Sequence, residues 1–213
     1  MINDNLLRYK YKQKYAVIDC ETCHLNLAMD NLPWQWAILE CEGEKILQEH
    51  NHYVNWPNLR VSEEAARVTR FNHDFVKRNG IQPEKALEIL DSFIYNKDYL
   101  LLIANGLRFD VFVHNIHRRL SNKNTDWSYL ERVLDPVALA KEVFCNIKKS
   151  ENDSLFQHQM RLHNFRSKGI KTSVNALCKH YKIDYDITKA HDGLYDVQLL
   201  WQIWNKLKWE INI

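Results

Sequence analysis

Five side chains in three short blocks could do chemistry. Asp19 and Glu21 stand two positions apart at the end of the apolar run Tyr15–Ala16–Val17–Ile18. A strand alternates its faces with a period of two, so both carboxylates point the same way. Two acids this close repel unless a cation sits between them. A solvated strand end with two incidental acids would carry the same pattern. Asp110 follows a buried-strand run and a turn, Leu101–Leu102–Ile103–Ala104–Asn105–Gly106–Leu107–Arg108–Phe109, and stands where a helix begins. Aspartate is also an ordinary helix cap there. His191 precedes the last helix, and Asp196 lies about one turn inside it. Asp192 is expected to cap that helix. Its i, i+4 relation to Asp196 puts both on one face and makes Asp192 a possible substitute ligand.

The elements that must position these groups follow from periodicity and punctuation. Tyr15 to Ile18 reads as a buried strand. Residues 34–41 and 45–54 alternate partially and are joined by Glu42–Gly43–Glu44, a hairpin signal. Ser62 followed by Glu63 and Glu64 predicts a capped helix. Gln82–Pro83–Glu84 opens another, with Ala86, Leu87, Leu90, Phe93 and Ile94 at helical spacing. A second buried strand is expected over 99–104 and a helix over 109–120. Asp135–Pro136 opens a helix bearing Val137, Leu139, Ala140, Val143 and Phe144. Ser173 caps a helix to about Tyr181, and Asp192 starts the last, to about Lys208. No element is assigned within the polar stretch 146–172. A hairpin followed by strands alternating with helices predicts an α/β fold, a mixed sheet flanked by helices.

Taken together, the blocks V-I-D-C-E-T (17–22), N-G-L-R-F-D (105–110) and H-D-G-L-Y-D (191–196) resemble, in order and context, the motifs of the DEDDh, DnaQ-like 3′→5′ exonuclease superfamily. The Asn with R-F-D is most similar to the exonuclease I branch. Val68–Thr69–Arg70–Phe71–Asn72 also looks like that superfamily's V-T-G-I-T segment, with Arg70 and Phe71 departing from the usual Gly-Ile. The resemblance covers roughly residues 14–207 and implies one domain with a ribonuclease H-like mixed β-sheet flanked by α-helices. The C-terminal extension of exonuclease I has no counterpart here, so its processivity is not implied.

The resemblance implies that Asp19, Glu21, Asp110 and Asp196 are metal ligands and that His191 is the general base. Phosphodiester hydrolysis needs in-line attack, charge neutralisation and a stabilised leaving oxygen, which two hard cations supply together. Mg²⁺ prefers oxygen ligands, so two Mg²⁺ ions are expected, with Mn²⁺ able to substitute. Histidine titrates ordinarily near neutrality, as such a base requires. The expected reaction removes nucleoside 5′-monophosphates from a single-stranded 3′ end, DNA being favoured over RNA. Thr22, Asn105 and Phe109, within the motifs, and Phe71 and His73, near the segment that lines the terminal nucleotides in relatives, are the expected substrate contacts. An exoribonuclease acting on short or structured RNA is the alternative. An inactive nucleic-acid-binding module is a remote one, since such a module would tend to lose carboxylates.

Bulk properties bound this reading. The net charge of +2, with 46 % apolar and 26 % charged residues, describes an ordinary soluble globular chain and does not announce a nucleic-acid binder. Met1 to Gln13 is polar, and no apolar run approaches the ~20 residues that span a bilayer, so a cytoplasmic protein without membrane association is expected. Five cysteines, Cys20, Cys23, Cys41, Cys145 and Cys178, lack framework spacing and suit a reducing compartment. Cys20-x-x-Cys23 lacks a second pair for zinc and reads as two small buried residues. Basic residues cluster at 8–14, 67–78, 117–123 and 161–171. Each is an ordinary solvated face or, in the last case with Phe165, a surface for a phosphate backbone and a stacked base. Trp34 with Trp36, and Trp201 with Trp204, share faces suited to core packing. Monomer and homodimer remain equally open.

Overall fold

The structure is a computed structural model describing residues 5–213; Met1 to Asp4, part of the polar leading stretch, lie outside the described residues. Five strands are found among those residues: β1 (Lys14–Thr22), β2 (Pro33–Glu42), β3 (Lys45–Tyr53), β4 (Tyr99–Leu102) and β5 (Val133–Leu134). They form one sheet in the order β3-β2-β1-β4-β5. β1 to β3 are antiparallel neighbours, while β4 runs parallel to β1 and β5 parallel to β4. The hairpin turns at Gly43, whose φ of +62° and whose close approach to the Tyr11 carbonyl oxygen leave room for no side chain.

Eight α-helices surround the sheet among the described residues: α1 (Glu63–Thr69), α2 (His73–Asn79), α3 (Pro83–Ile94), α4 (Asp110–Leu120), α5 (Pro136–Phe144), α6 (Leu155–Asn164), α7 (Val174–Tyr181) and α8 (Gly193–Leu207). The period of two divides β1 between two cores. Ala16, Ile18 and Cys20 join Trp34, Trp36, Leu90 and Val113 on the α3–α4 side. Tyr15 and Val17 join Leu139, Leu177, Trp201 and Trp204 on the other. A strand covered on both faces must be apolar throughout, which is why β1 reads as a continuous run. The four tryptophans expected in the core are all buried. Trp34 Nε1–H donates to the Thr22 carbonyl at 3.2 Å and Trp36 Nε1–H to His117 Nδ1 at 3.2 Å, so both rings are buried with their polar edge satisfied.

Several elements differ from the sequence expectation. β1 continues through Cys20 to Thr22, beyond the apolar run 15–18, with Asp19 and Glu21 near its end as the period-two reading requires. α2, capped by Asn72 through the Phe75 N–H, was not expected: it is seven residues long and buries only Val76, so no apolar stripe announces it. β5 has two residues. α6 lies inside the unassigned stretch 146–172; it opens with a Ser154–Gln157 capping box, and its buried face is His158, Gln159, Leu162 and His163. A mostly polar inner face carries no hydrophobic period. Among the described residues no helix is long and apolar enough to cross a membrane. All five cysteines are free, and four are buried, Cys20 and Cys23 among them.

Candidate active site

Asp19 and Glu21 share the face of β1 that meets α8. Asp19 is paired across the sheet with Ala37. α8 begins directly above them at Gly193, where an added Cβ would lie 3.1 Å from Ala37 Cβ and 3.5 Å from Asp19 Oδ2. The glycine therefore allows the helix start to rest on the strand pair, which brings Asp196, one turn further on, to the carboxylates below. Asp110 arrives from the neighbouring parallel strand: β4 ends, a short 3₁₀ turn follows, and Asp110 is the first residue of α4. The site thus lies at the carboxyl ends of β1 and β4, the edge at which open α/β sheets form crevices.

The Cys20 thiol donates to Asp110 Oδ1 at 3.2 Å. Donor atoms of Glu21, His191 and Asp196 all lie within 4.8 Å of one another. His191 has a left-handed backbone, φ +62°, and its N–H donates to Asp196 Oδ2 at 3.0 Å. Asp192 caps α8 by accepting from the Leu194 N–H at 3.1 Å, and its carboxylate is exposed.

The electrostatics are those of crowded acids. Burial, then the charges of Glu21, Asp110, Asp196 and Asp192, hold Asp19 well above the usual carboxylate range. Although Asp19 is only half-buried, β2 and the start of α8 wall in its carboxyl group. Glu21 is pushed up to about 9 by burial, then by Asp196 and Asp110. Asp110 is raised to about 7 by burial, against the opposing thiol hydrogen bond from Cys20. Asp196 reaches about 6 through burial, offset by the His191 N–H. Such a cluster carries its full negative charge at neutral pH only when cations enter. Its donors are oxygens, which suit hard divalent ions.

A cavity of about 220 Å³ adjoins the cluster, lined by His191, Asp192, Gln35, Arg70 and the rings of Trp34, Tyr53 and Phe71. Phe71 meets Trp34 edge-to-face with centroids 5.1 Å apart. The other expected substrate contacts sit differently. His73 is exposed at the start of α2 and is not among the residues lining this cavity. The Thr22 hydroxyl donates to the His24 carbonyl at 2.8 Å. Asn105, left-handed at φ +59°, uses its backbone N–H on Asp135 Oδ1 at 3.1 Å and leaves its side chain exposed. Phe109 packs on the core at the N-terminus of α4.

Sequence reasoning missed several residues that support the site. Asp135 caps α5, ties down the Asn105 turn and accepts from His163 Nε2 at 2.9 Å. Only its capping role is written locally, as Asp-Pro. In the basic cluster at 117–123 His117 is fully buried and Arg118 and Lys123 pair with Asp91, while Arg119 is exposed. In the 161–171 stretch Arg161 is engaged by Asp153 at 2.7 Å, while Phe165 is partly exposed.

A sequence model of the exonuclease family RNase_T matches residues 16–204. Among characterised proteins, the chain is 24 % identical over 198 residues to the PolC-type DNA polymerase III of Ureaplasma parvum, covering 91 % of this chain and 11 % of that one. It is 22 % identical over 197 residues to the DNA polymerase III subunit epsilon of Buchnera aphidicola, covering 90 % and 73 %. Among solved structures, the zinc-bound complex of Escherichia coli exonuclease I with single-stranded DNA superposes with a TM-score of 0.72 at 16 % identity, covering 92 % of this chain and 41 % of that one. The same enzyme with a dA16 oligonucleotide gives 0.71 at 16 %, covering 93 % and 41 %. The chain thus spans about a tenth of the PolC-type protein and two fifths of exonuclease I. The likeness to exonuclease I is one of fold: a mixed five-stranded sheet flanked by helices, the ribonuclease H-like arrangement.

Proposed function

The chain belongs to the RNase_T exonuclease family, and from that premise we propose that it hydrolyses single-stranded DNA from the 3′ end, one nucleoside 5′-monophosphate at a time. The observation that carries this reading is the convergence of four acids from β1, α4 and α8, all held above the usual carboxylate range by burial and by neighbouring carboxylates, beside His191 and an aromatic-walled cavity. The solved complexes of exonuclease I with single-stranded oligonucleotides support the choice of substrate.

Asp19, Glu21, Asp110 and Asp196 would hold two divalent cations, Mg²⁺ with Mn²⁺ as a substitute. The mutual repulsion of these acids, which raises Asp19 through Glu21, Asp110 and Asp196, and their all-oxygen donor set fit such ions. When bound, the ions neutralise the phosphate and stabilise the leaving oxygen. The protein's own groups do the rest. His191 accepts the proton of the attacking water from its exposed position at the mouth of the cavity. Phe71, Trp34 and Tyr53 offer apolar faces to the terminal base and sugar. Asp192 caps α8 and so holds the first turn that carries Asp196.

The test is degradation of 5′-labelled single-stranded DNA, duplex DNA and RNA side by side in Mg²⁺. Progressive shortening of the single-stranded DNA, abolished by EDTA, is expected. Faster loss of RNA would move the reading to an exoribonuclease. Cutting of circular single strands, or full activity in EDTA, would overturn it.

A further inference from the structure

Residue 70 turns the corner between α1 and α2 in the left-handed region, φ +56°. Arginine takes that conformation at a cost that glycine does not bear. A strained non-glycine backbone persists where its surroundings over-determine it, and such positions gather at functional sites. Here the surroundings include a long-range contact. The Arg70 guanidinium crosses to the loop before α8, where Nη2 donates to the Ala190 carbonyl at 2.7 Å.

Ala190 is buried and immediately precedes His191, itself left-handed at φ +62°. On the far side, the His191 N–H is held by Asp196 Oδ2 at 3.0 Å. His191 is therefore fixed by one hydrogen bond at its own amide and one at the preceding carbonyl. The second comes from another part of the chain, 120 residues away. Arg70 and His191 also line the same cavity, with Phe71 between the corner and Trp34.

We propose that Arg70 is a positioning residue: its bond to the Ala190 carbonyl locks the left-handed loop that presents His191 to the cavity, so the α1–α2 corner and the His191 loop move as one body. This rests on the reading of His191 as the proton acceptor. A charge-assisted hydrogen bond is shorter and stronger than a neutral one, and this one is the loop's link to the corner that forms the cavity wall.

The experiment compares Arg70→Gly and Arg70→Lys with the native protein. Glycine removes the tether and the backbone strain together, so its melting temperature should stay within a few degrees of native. Its single-turnover rate on 5′-labelled single-stranded DNA should fall about 10- to 100-fold, the scale of a lost orientation. Affinity for the same strand in Ca²⁺ should fall much less than the rate, the small loss reflecting one cation removed from the cavity wall. The amides of Lys189 to Asp192 should exchange faster with solvent. Lysine can still donate to the Ala190 carbonyl and should recover part of the rate and of the protection. Native rate and native loop protection in Arg70→Gly would overturn the proposal. So would a loss of rate that merely tracks a loss of melting temperature, with Arg70→Lys equally impaired. If the native protein releases no nucleotide, the exonuclease reading fails separately, and the exchange comparison still decides whether Arg70 holds the loop.

Discussion

The His191 amide N–H and Asp196 Oδ2 are joined by a 3.0 Å hydrogen bond, so one carboxylate of the cluster also shapes the loop that bears the histidine. These two roles separate by substitution. In Asp196→Asn the side-chain oxygen can still accept from His191, and a like charge leaves the cluster. The metal-free protein should be as stable as native or more so. Asp196→Ala loses the acceptor and should be less stable than the Asn variant by about 1 kcal/mol, the net value of one such bond. Both should lose activity and show a smaller Mg²⁺-induced rise in melting temperature. Thermal melts in EDTA and in Mg²⁺ check this; an Asn variant with the full native Mg²⁺ shift would remove Asp196 from the ligands.

The raised acids set a pH dependence of stability. Glu21, titrating at about 9, and Asp19, held well above the carboxylate range, keep protons that the unfolded chain releases near pH 4. A raised acid contributes stability that is complete below its unfolded value and lost as pH rises through its folded value. The buried His114 and His117 are shifted down by burial and are neutral in the folded state above pH 7, so their opposing contribution fades as the unfolded imidazoles lose their remaining charge. In EDTA the melting temperature should therefore fall between pH 7 and 8.5. Saturating Mg²⁺ should flatten the fall, because bound cations stabilise the ionised forms. Binding at pH 7 should release protons into a weakly buffered solution. A melting temperature in EDTA that is flat or rising over this window would count against the cluster's raised acids.

His191 is better replaced by asparagine than by alanine, because asparagine tolerates φ near +62°. The backbone N–H to Asp196 then survives. Fold stability and the Mg²⁺ shift should stay near native, while the single-turnover rate drops about 10²–10⁴-fold, the usual contribution of a positioned general base. A near-native rate would exclude the residue as proton acceptor; a parallel fall in stability and metal response would make it structural.

What the sequence made legible is what local rules write. Period-two alternation put Asp19 and Glu21 on one face, and the caps Ser62, Asp135, Ser173 and Asp192 each hold the helix start they predicted. Contacts between distant segments are not written that way. Cys20 meets Asp110 across 90 residues, because the sheet order sets β1 beside β4, and Arg70 meets Ala190 across 120. α6 stayed hidden since its buried face is mostly polar, its Gln159 bonding to the Asp135 amide and the Val133 carbonyl rather than to apolar neighbours. Asn105 fell within a motif, yet it is its backbone that the fold uses.

Gly193 offers the most discriminating test of the geometry. At an exposed helix position, Gly→Ala stabilises by up to about 1 kcal/mol. Gly193 is instead buried, and an added Cβ would stand 3.1 Å from Ala37 Cβ, 3.4 Å from Gln35 Cδ and 3.5 Å from Asp19 Oδ2. The Gln35 side chain, buried and donating to Asn51 Oδ1 at 2.8 Å, cannot move without breaking that bond. The Ala37 Cβ cannot move, because it is fixed to the backbone of a strand paired on both sides. Relief must come from α8 lifting by a few tenths of an ångström, which carries Asp196 away from Asp19. The helix gain and the steric cost oppose each other, so Gly193→Ala should melt within about 1 kcal/mol of native in EDTA. The Mg²⁺-induced shift and the rate should both fall, since a cluster spread by even a small distance grips the same cations less well. A bulkier Gly193→Val should lose stability outright. If Gly193→Ala instead keeps the native Mg²⁺ response while gaining stability, α8 does not set the spacing of the carboxylates, and the close approach at its first turn is packing alone.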